Sequence, residues 1–151
     1  MSAFPPAEDL VPHKGEMCLI DRIVGEEGET VRAEVTIRPD HLFFKQGHGV
    51  PAYVGFELMA QTISAYDGLR RRRSGKPPAI GFLLGCRRYA ASRPFFREGE
   101  TLAIEVTSLL GEDGMASFQC RITDAGGDDV ASGVINVYRP ADPEAFLSAE
   151  R

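Results

Sequence analysis

The stretch PAYVGFELMAQTISAY, at positions 51–66, restricts the possible folds of this chain more than any other segment. Nearly every side chain from 54 to 63 is apolar or small, and a helix that is apolar on all sides is usually buried on all sides. Pro51 suits the first position of a helix, because a proline has no N–H that would need a partner there. The arginines at 70–73 suit the negative C-terminal end of the same helix. The sequence therefore predicts one long, buried helix over about residues 51–73.

Segments with strand-like patterns lie on both sides of this helix. Residues 30–38 alternate apolar and polar side chains, which is typical of a strand with one buried face. Breaks rich in glycine, proline and aspartate separate the segments, and the break AGGDD is a strong turn signal. The predicted strands are 17–24, 30–38, 79–91, 101–111, 115–123 and 130–138. Two strands, one helix and four strands in this order predict a single α+β domain, in which an antiparallel sheet wraps the central helix.

The composition is ordinary for a soluble domain, with 43% hydrophobic and 26% charged residues in a chain of 151. Residues 1–12 are predicted to form an irregular arm, and residues 140–151 a polar tail. No apolar run is long enough to cross a membrane, and the N-terminus lacks the pattern of a signal peptide. We therefore expect a cytoplasmic protein with no membrane partner. The three cysteines form no CxxC pair, so neither a metal site nor a disulfide framework is predicted.

The charge is unevenly distributed along the chain. The net charge is −5, yet residues 45–100 carry ten basic and four acidic side chains. A basic middle on an acidic protein suits an acidic partner, and the absence of tryptophan argues against a nucleic-acid surface. The arginine run after the helix has two interpretations: a solvated helix end, or part of a docking face for an acidic carrier protein. The candidates for that face are Arg70, Arg71, Arg87 and Arg88.

Glu57 is the one acid within the apolar part of the helix. An unpaired carboxylate in apolar surroundings is costly, and such a group usually has a raised pKa and keeps its proton. General acid–base catalysis uses carboxyl groups of this kind. Gln61, Ser64 and Gly68 follow on the same helical stripe. Either this stripe lines a ligand tunnel with Glu57 as the reacting group, or Glu57 pairs with an arginine while Gln61 and Ser64 satisfy backbone groups.

His48 lies in the loop just before the helix, in the sequence GHG. A histidine titrates near neutral pH and can abstract a proton. The helix N-terminus nearby offers N–H groups to a developing oxyanion. The alternative is an exposed loop histidine with no role. His13 is a second candidate, whereas His41 has no such context and is expected to be structural or on the surface.

Four segments resemble one known family. They are LVPHKGEMCLIDRIV at 10–24, FFKQGH at 43–48, VPAYVGFELMAQTISAYDGLR at 50–70 and GFLLGCRRYAASRPFFREGETLAIEV at 81–106. Together they are similar to the 3-hydroxyacyl-[acyl-carrier-protein] dehydratases of the FabA/FabZ type, which have the hotdog fold. The likeness is greatest to the divergent, ApeP-like branch that is found with aryl-polyene biosynthesis clusters.

This resemblance implies an enzyme that removes water from a (3R)-hydroxyacyl thioester to give a trans-2-enoyl thioester, with no cofactor and no metal. It implies Glu57 as the acid, His48 as the base, and an Ala52 backbone N–H that polarises the thioester carbonyl. His13 is the reserve base, because the loop between His48 and Glu57 is shorter than in the family. Gln61 and Gly85 are expected to contact the substrate.

The resemblance also implies a homodimer with a continuous sheet and tunnels at the subunit interface, and acyl carrier protein or acyl-CoA as the substrate carrier. A heterodimer with a second hotdog subunit is the alternative assembly. Two other functions remain open on the same fold. One is an acyl thioesterase, in which the helix carboxylate directs water at the thioester carbonyl. The other is an inactive partner subunit of a heteromeric dehydratase.

Overall fold

The computed structural model describes residues 4–11, 15–75, 82–109 and 114–138, without the side chains at 82–84, 86 and 87. Two helices and two short 3-10 turns accompany eight strands in this part of the chain. The helical elements are α1 (Ala7–Leu10), the 3-10 turns Gly15–Met17 and Ala52–Val54, and α2 (Gly55–Arg73). The strands are β1 (Arg22–Glu27), β2 (Thr30–Thr36), β3 (Val50–Pro51), β4 (Phe82–Ala91), β5 (Phe95–Phe96), β6 (Thr101–Ser108), β7 (Met115–Thr123) and β8 (Asp129–Tyr138).

Six of these strands form one antiparallel sheet in the order β1-β2-β6-β7-β8-β4. Strands β2, β6 and β7 alternate buried and more exposed side chains, as a sheet with one covered face requires. Helix α2 packs against this buried face, chiefly on β6, β2 and β7. The predicted α+β layout of one long helix on an antiparallel sheet is confirmed.

Helix α2 is not buried evenly around its circumference. Leu58, Met59 and Thr62 are fully enclosed, whereas Phe56, Glu57 and other residues on one side remain half-buried in the single chain. The expectation of burial on all sides was therefore too strong. The expectation failed because small residues such as Ala60 and Ser64 occupy the half-exposed side of the helix. In a sequence, such residues look the same whether they lie in the core or on a half-exposed side.

The N-terminal segment packs onto α2 instead of forming a wholly irregular arm. Helix α1 contributes the buried side chains of Ala7 and Leu10. At Gly68 the backbone of Leu10 comes so close that an added Cβ would lie 2.1 Å from the Leu10 carbonyl oxygen. Gly68 on the predicted polar stripe is therefore a packing contact between α2 and the N-terminal segment.

Two strand predictions differ from the structure near the small elements. The first strand was expected at 17–24 but begins at Arg22, because residues 17–19 are bound by a helix side chain described below. The break expected at 94–99 contains β5, which pairs with β3 in a separate two-stranded sheet.

The predicted tail over 140–151 lies outside the described residues. No helix in the described part of the chain is long and apolar enough to span a membrane.

Candidate active site

Glu57 lies in the first turn of α2, at the wall of a cavity of about 290 Å³. Glu57 is half-buried in the single chain and is one of the residues that line this cavity. Apart from Glu57 and Gln61, the walls are apolar or aromatic. The lining residues are Met17, Leu19, Leu42, Phe43, Tyr53, Val54, Glu57 and Gln61. One acid at the edge of an otherwise apolar cavity fits the pattern of a ligand site with few polar groups.

The wall of this cavity includes side chains that the sequence did not identify as functional. Met17, Phe43 and Tyr53 are large, apolar or aromatic, and exposed, with Tyr53 62% exposed. Exposed apolar groups that cluster around a cavity mark a binding surface more often than isolated ones do. Phe43 belongs to the FFKQGH segment, and the family resemblance of that segment was the one sign in the sequence that Phe43 could be functional. Met17 belongs to the LVPHKGEMCLIDRIV segment, which resembles the same family, but no pattern within that segment singled out this side chain.

Gln61 is 1% exposed and uses both ends of its amide. Its Oε1 accepts the Leu19 N–H at 2.7 Å, and its Nε2 donates to the Met17 carbonyl at 2.9 Å. The same Nε2 lies 3.4 Å from Glu57 Oε1, to which it donates. Gln61 therefore holds the cavity wall at 17–19 and the Glu57 carboxylate together. Gln61 thus has features of both alternatives from the sequence, because it binds backbone groups and also lines the cavity beside Glu57.

The Ala52 N–H does not point to a free position at the helix start. It donates to the Pro94 carbonyl at 2.8 Å, while the Ala52 carbonyl accepts a hydrogen bond from the Tyr89 hydroxyl. The Tyr89 hydroxyl lies against Gly55, where an added Cβ would come within 2.3 Å of it. In the single chain, the donor expected to polarise a thioester carbonyl is therefore bonded to Pro94. Nothing in the sequence indicated this bond, since the acceptor is 42 residues away.

His48 lies on a tight turn between Lys45 and Gly49 and is exposed. Its ring stacks on Phe95 with centroids 5.0 Å apart and an interplanar angle of 25°. His48 is not among the side chains that line the Glu57 cavity. Within one chain, the structure therefore does not bring the predicted acid and base together. His13, the reserve base, lies outside the described residues.

His41 is half-buried beside the cavity wall and accepts the Phe43 N–H at 3.2 Å through Nδ1. Burial lowers its pKa, although the carboxylates of Asp21 and Asp40 act in the opposite direction. The imidazole is therefore mainly neutral at pH 7. This geometry agrees with the structural role expected for His41, since it supports the loop that carries Phe43.

Of the carrier-docking candidates, Arg70 is already bound within its own chain. Its guanidinium lies 4.4 Å from the Tyr66 ring centroid and 3.4 Å from the Glu29 carboxylate. This favours the helix-end interpretation for Arg70. Arg71 is half-buried and has interactions of its own, and the side chain of Arg87 lies outside the described part.

Arg88 and Gly85 both lie on β4, the last strand of the six-stranded sheet. Arg88 is exposed and has a φ of 60°, within an irregular stretch of the β4–β8 pairing. Gly85 lies at a second irregularity of the same pairing, and an added Cβ would meet nothing within 4 Å. Gly85 does not line the Glu57 cavity in this chain. No cluster of three or more potential metal ligands occurs among the described residues.

A long helix packed on a six-stranded antiparallel sheet places the chain in the hotdog class of proteins. Solved hotdog structures superpose on most of the chain. A chain of the ApeI:P dehydratase heterocomplex from Xenorhabdus doucetiae is 27% identical, with a TM-score of 0.87 over 98% of this chain and 99% of that one. Residues 5–148 match the ApeP-like family, described as ApeP dehydratase, and the chain belongs to that family.

More distant structures share the fold alone. The PaaI protein from the phenylacetic acid degradation operon of E. coli is 14% identical, with a TM-score of 0.61 over 78% of this chain and 82% of that one. Zebra fish thioesterase superfamily member 2 is 13% identical, with a TM-score of 0.66 over 88% and 92% of the two chains. No curated protein matches the chain.

Proposed function

We propose that the chain removes water from a (3R)-hydroxyacyl thioester on acyl carrier protein, giving a trans-2-enoyl thioester. Membership of a dehydratase family supports this reaction class. The observation that carries the proposal is the position of Glu57, a single carboxyl group in the wall of a mainly apolar cavity, held by the buried amide of Gln61. An acyl chain fits apolar walls, and an acid at the wall is placed to act on its 3-hydroxyl group.

In this reaction a base removes a proton from C2 of the acyl group, and the C2–H electron pair forms the C2–C3 double bond. The C3–O bond breaks at the same time, and Glu57 donates the proton that converts the leaving hydroxyl into water. His48 or His13 is the base. Because His48 lies outside the Glu57 cavity of its own chain, we propose that the base reaches that cavity from a second hotdog subunit.

The proposed assembly is a dimer in which β4 edges meet, since a strand at the edge of a sheet presents unpaired backbone groups. A homodimer supplies His48 from a second copy of the chain. The ApeI:P relative is a heterocomplex, which supports a second hotdog protein as the partner instead. Arg88 lies on the same strand and is exposed in the single chain, and we propose that it contacts an acidic carrier protein beside this interface.

The aromatic side chains of Phe43 and Tyr53 in the cavity wall suit an aryl as well as an alkyl group. We therefore place the reaction in fatty-acid or aryl-polyene biosynthesis in the cytoplasm, with either acyl carrier protein or coenzyme A as the thiol.

The test is loss of water from a carrier-bound 3-hydroxyacyl group, followed by mass spectrometry of the intact carrier. We expect Glu57→Gln to lower the rate by at least about 100-fold, the usual contribution of a positioned acid. Glu34→Gln, a change of the same kind in the β1–β2 hairpin, is the matched control. Full activity of Glu57→Gln means that the assignment of Glu57 is wrong.

A role as partner subunit is the second candidate, supported by the heterocomplex relative and by the absence of His48 from the Glu57 cavity. In that case the purified chain is inactive alone and becomes active when co-expressed with a second hotdog protein.

A thioesterase is the third candidate, because the Ala52 N–H is bonded to Pro94 and is not available for the dehydratase role expected of it. Release of free thiol from acyl-CoA without an enoyl product selects the thioesterase.

A further inference from the structure

One carboxylate ties both ends of the segment that contains β5. Glu100 Oε1 accepts a hydrogen bond from Arg93 Nη1 at 2.6 Å, and Glu100 Oε2 accepts the Arg97 N–H at 2.6 Å. The three residues therefore close a loop around Phe95–Phe96. We call residues 93–100 the β5 clamp.

Glu100 is itself fixed to the main sheet by backbone hydrogen bonds. Its carbonyl accepts the Ile37 N–H at 2.8 Å, and the Gly99 N–H donates to the Ile37 carbonyl at 2.8 Å. Ile37 is fully buried in the core. The carboxylate that closes the β5 clamp is thus held relative to the sheet, because its backbone cannot move without breaking core contacts.

The other side of the β5 clamp contacts the start of α2. Pro94 accepts the Ala52 N–H at 2.8 Å, and Phe95 and Phe96 pair with Pro51 and Val50. Just before them, an added Cβ at Gly49 would lie 2.1 Å from the Phe96 carbonyl oxygen, so the two backbones are in direct contact. A displacement of the β5 clamp should therefore also displace the start of the helix that carries Glu57.

The same segment also places His48. The imidazole stacks on Phe95 at 5.0 Å, and Phe95 lies between the two residues that Glu100 binds. A shift of Phe95 therefore moves the surface on which the His48 ring rests. The β5 clamp thus contacts the start of the helix that carries Glu57, and it also contains the Phe95 ring that stacks on His48. A displacement of the clamp therefore affects both predicted catalytic groups.

Arg93 depends on Glu100 for its charge compensation. Its Nε and Nη2 are buried and have no hydrogen-bond partner in the described structure, and its guanidinium carbon lies 5.9 Å from the Phe96 ring centroid. The side chains of Arg93 and Glu100 are 24% and 25% exposed. Removing one member of a largely buried pair leaves an uncompensated charge, which costs more than removing an exposed pair. Loss of Glu100 should therefore displace Arg93 and open the clamp.

We propose that Arg93 and Glu100 are positioning residues for the reaction proposed above, on which this inference rests. They do not touch the substrate. Through the β5 clamp they hold the start of α2 and the His48 ring in the arrangement that the reaction requires. A misplacement of catalytic groups by about 1 Å is enough to lower a rate by about 100-fold.

The direct readout is the chemical shift of the His48 ring protons in the full chain, since stacking on an aromatic ring shields them. Phe95→Leu gives the unstacked reference. We expect Glu100→Ala and Arg93→Met to move the His48 resonances at least halfway to that reference. Glu34→Gln, which removes the 2.7 Å ion pair with Arg22 on the β1–β2 hairpin, should leave them unchanged. Unchanged His48 resonances in folded Glu100→Ala and Arg93→Met overturn the proposal.

The second readout is the separation of kcat from KM in the dehydration assay, with the partner subunit present where activity needs it. We expect kcat to fall at least tenfold in Glu100→Ala while KM changes less than twofold, because the substrate contacts are intact. If this variant does not fold, Glu100→Gln, which keeps one acceptor oxygen, is measured instead. A kcat within twofold of wild type in a variant whose His48 resonances move also overturns the proposal. Should the wild type show no dehydration, the proposed function fails, while the resonances still decide whether the clamp places His48.

Discussion

Gln61 joins the acid, the cavity wall and the helix, so its replacement tests how the site is held together. In Gln61→Leu the Leu19 N–H loses its acceptor and the Met17 carbonyl loses its donor. Leu19 is buried, so its N–H stays unsatisfied, whereas Met17 is 52% exposed and its carbonyl can bind water. One buried unsatisfied donor costs about 1–3 kcal/mol. We therefore expect a loss of about 2 kcal/mol in the free energy of unfolding, or about 4–8 °C in Tm.

The assay is urea denaturation at a fixed protomer concentration, combined with amide hydrogen exchange at Leu19. Concentration must be fixed because the proposed association of subunits would add to the apparent stability. Ser64→Ala, a truncation on the half-buried side of the same helix, is the control and should change stability by less than about 0.5 kcal/mol. Leu19 should exchange faster in Gln61→Leu relative to residues elsewhere in the fold. If Gln61→Leu is as stable as Ser64→Ala and Leu19 keeps its protection, Gln61 does not hold the wall.

Two further predictions concern the packing and charges around α2. Gly68→Ala should destabilise the fold by about 1–3 kcal/mol, because the new methyl group overlaps the Leu10 backbone, and limited proteolysis should then cut the N-terminal segment sooner. A tolerated Gly68→Ala would mean that the segment does not pack there. The hydrogen bonds from Arg73 hold the pKa of Glu26 below its ordinary value of 4.5. This carboxylate stabilises the fold at pH values above 4.5, and the stabilisation is lost as the pH falls below it, so the Tm difference between wild type and Glu26→Gln should shrink there. A Tm difference between wild type and Glu26→Gln that grows as the pH falls would contradict this prediction.

The long helix was predictable because its signals are local. Pro51, the apolar run and the arginines at 70–73 all lie within or beside the element that they specify, and the structure has α2 at Gly55–Arg73 after a 3-10 turn. Strand alternation in residues 30–38 was equally local. The start of the first strand does not depend on local signals, because Gln61 binds Met17 and Leu19 from 44 and 42 residues away.

The site was predictable only in part. Glu57 was recognisable as an acid in apolar surroundings, but its half-exposed position depends on which side of α2 the sheet leaves uncovered. The bonded state of the Ala52 N–H depends on Pro94, and the stacking of His48 depends on Phe95. Both contacts come from β5, a strand of two residues, which is too short to show any periodicity in sequence.

The central claim is that Glu57 moves the proton of a dehydration, and the reverse reaction tests it most directly. The chain, with its partner subunit where needed, is incubated with a carrier-bound trans-2-enoyl thioester in water enriched in oxygen-18. We predict that oxygen-18 enters the C3 hydroxyl of the product while the thioester remains intact. In Glu57→Gln this incorporation should slow by at least about 100-fold. Incorporation at the wild-type rate in Glu57→Gln, or label found in a free carboxylate instead of the hydroxyl, would contradict the account.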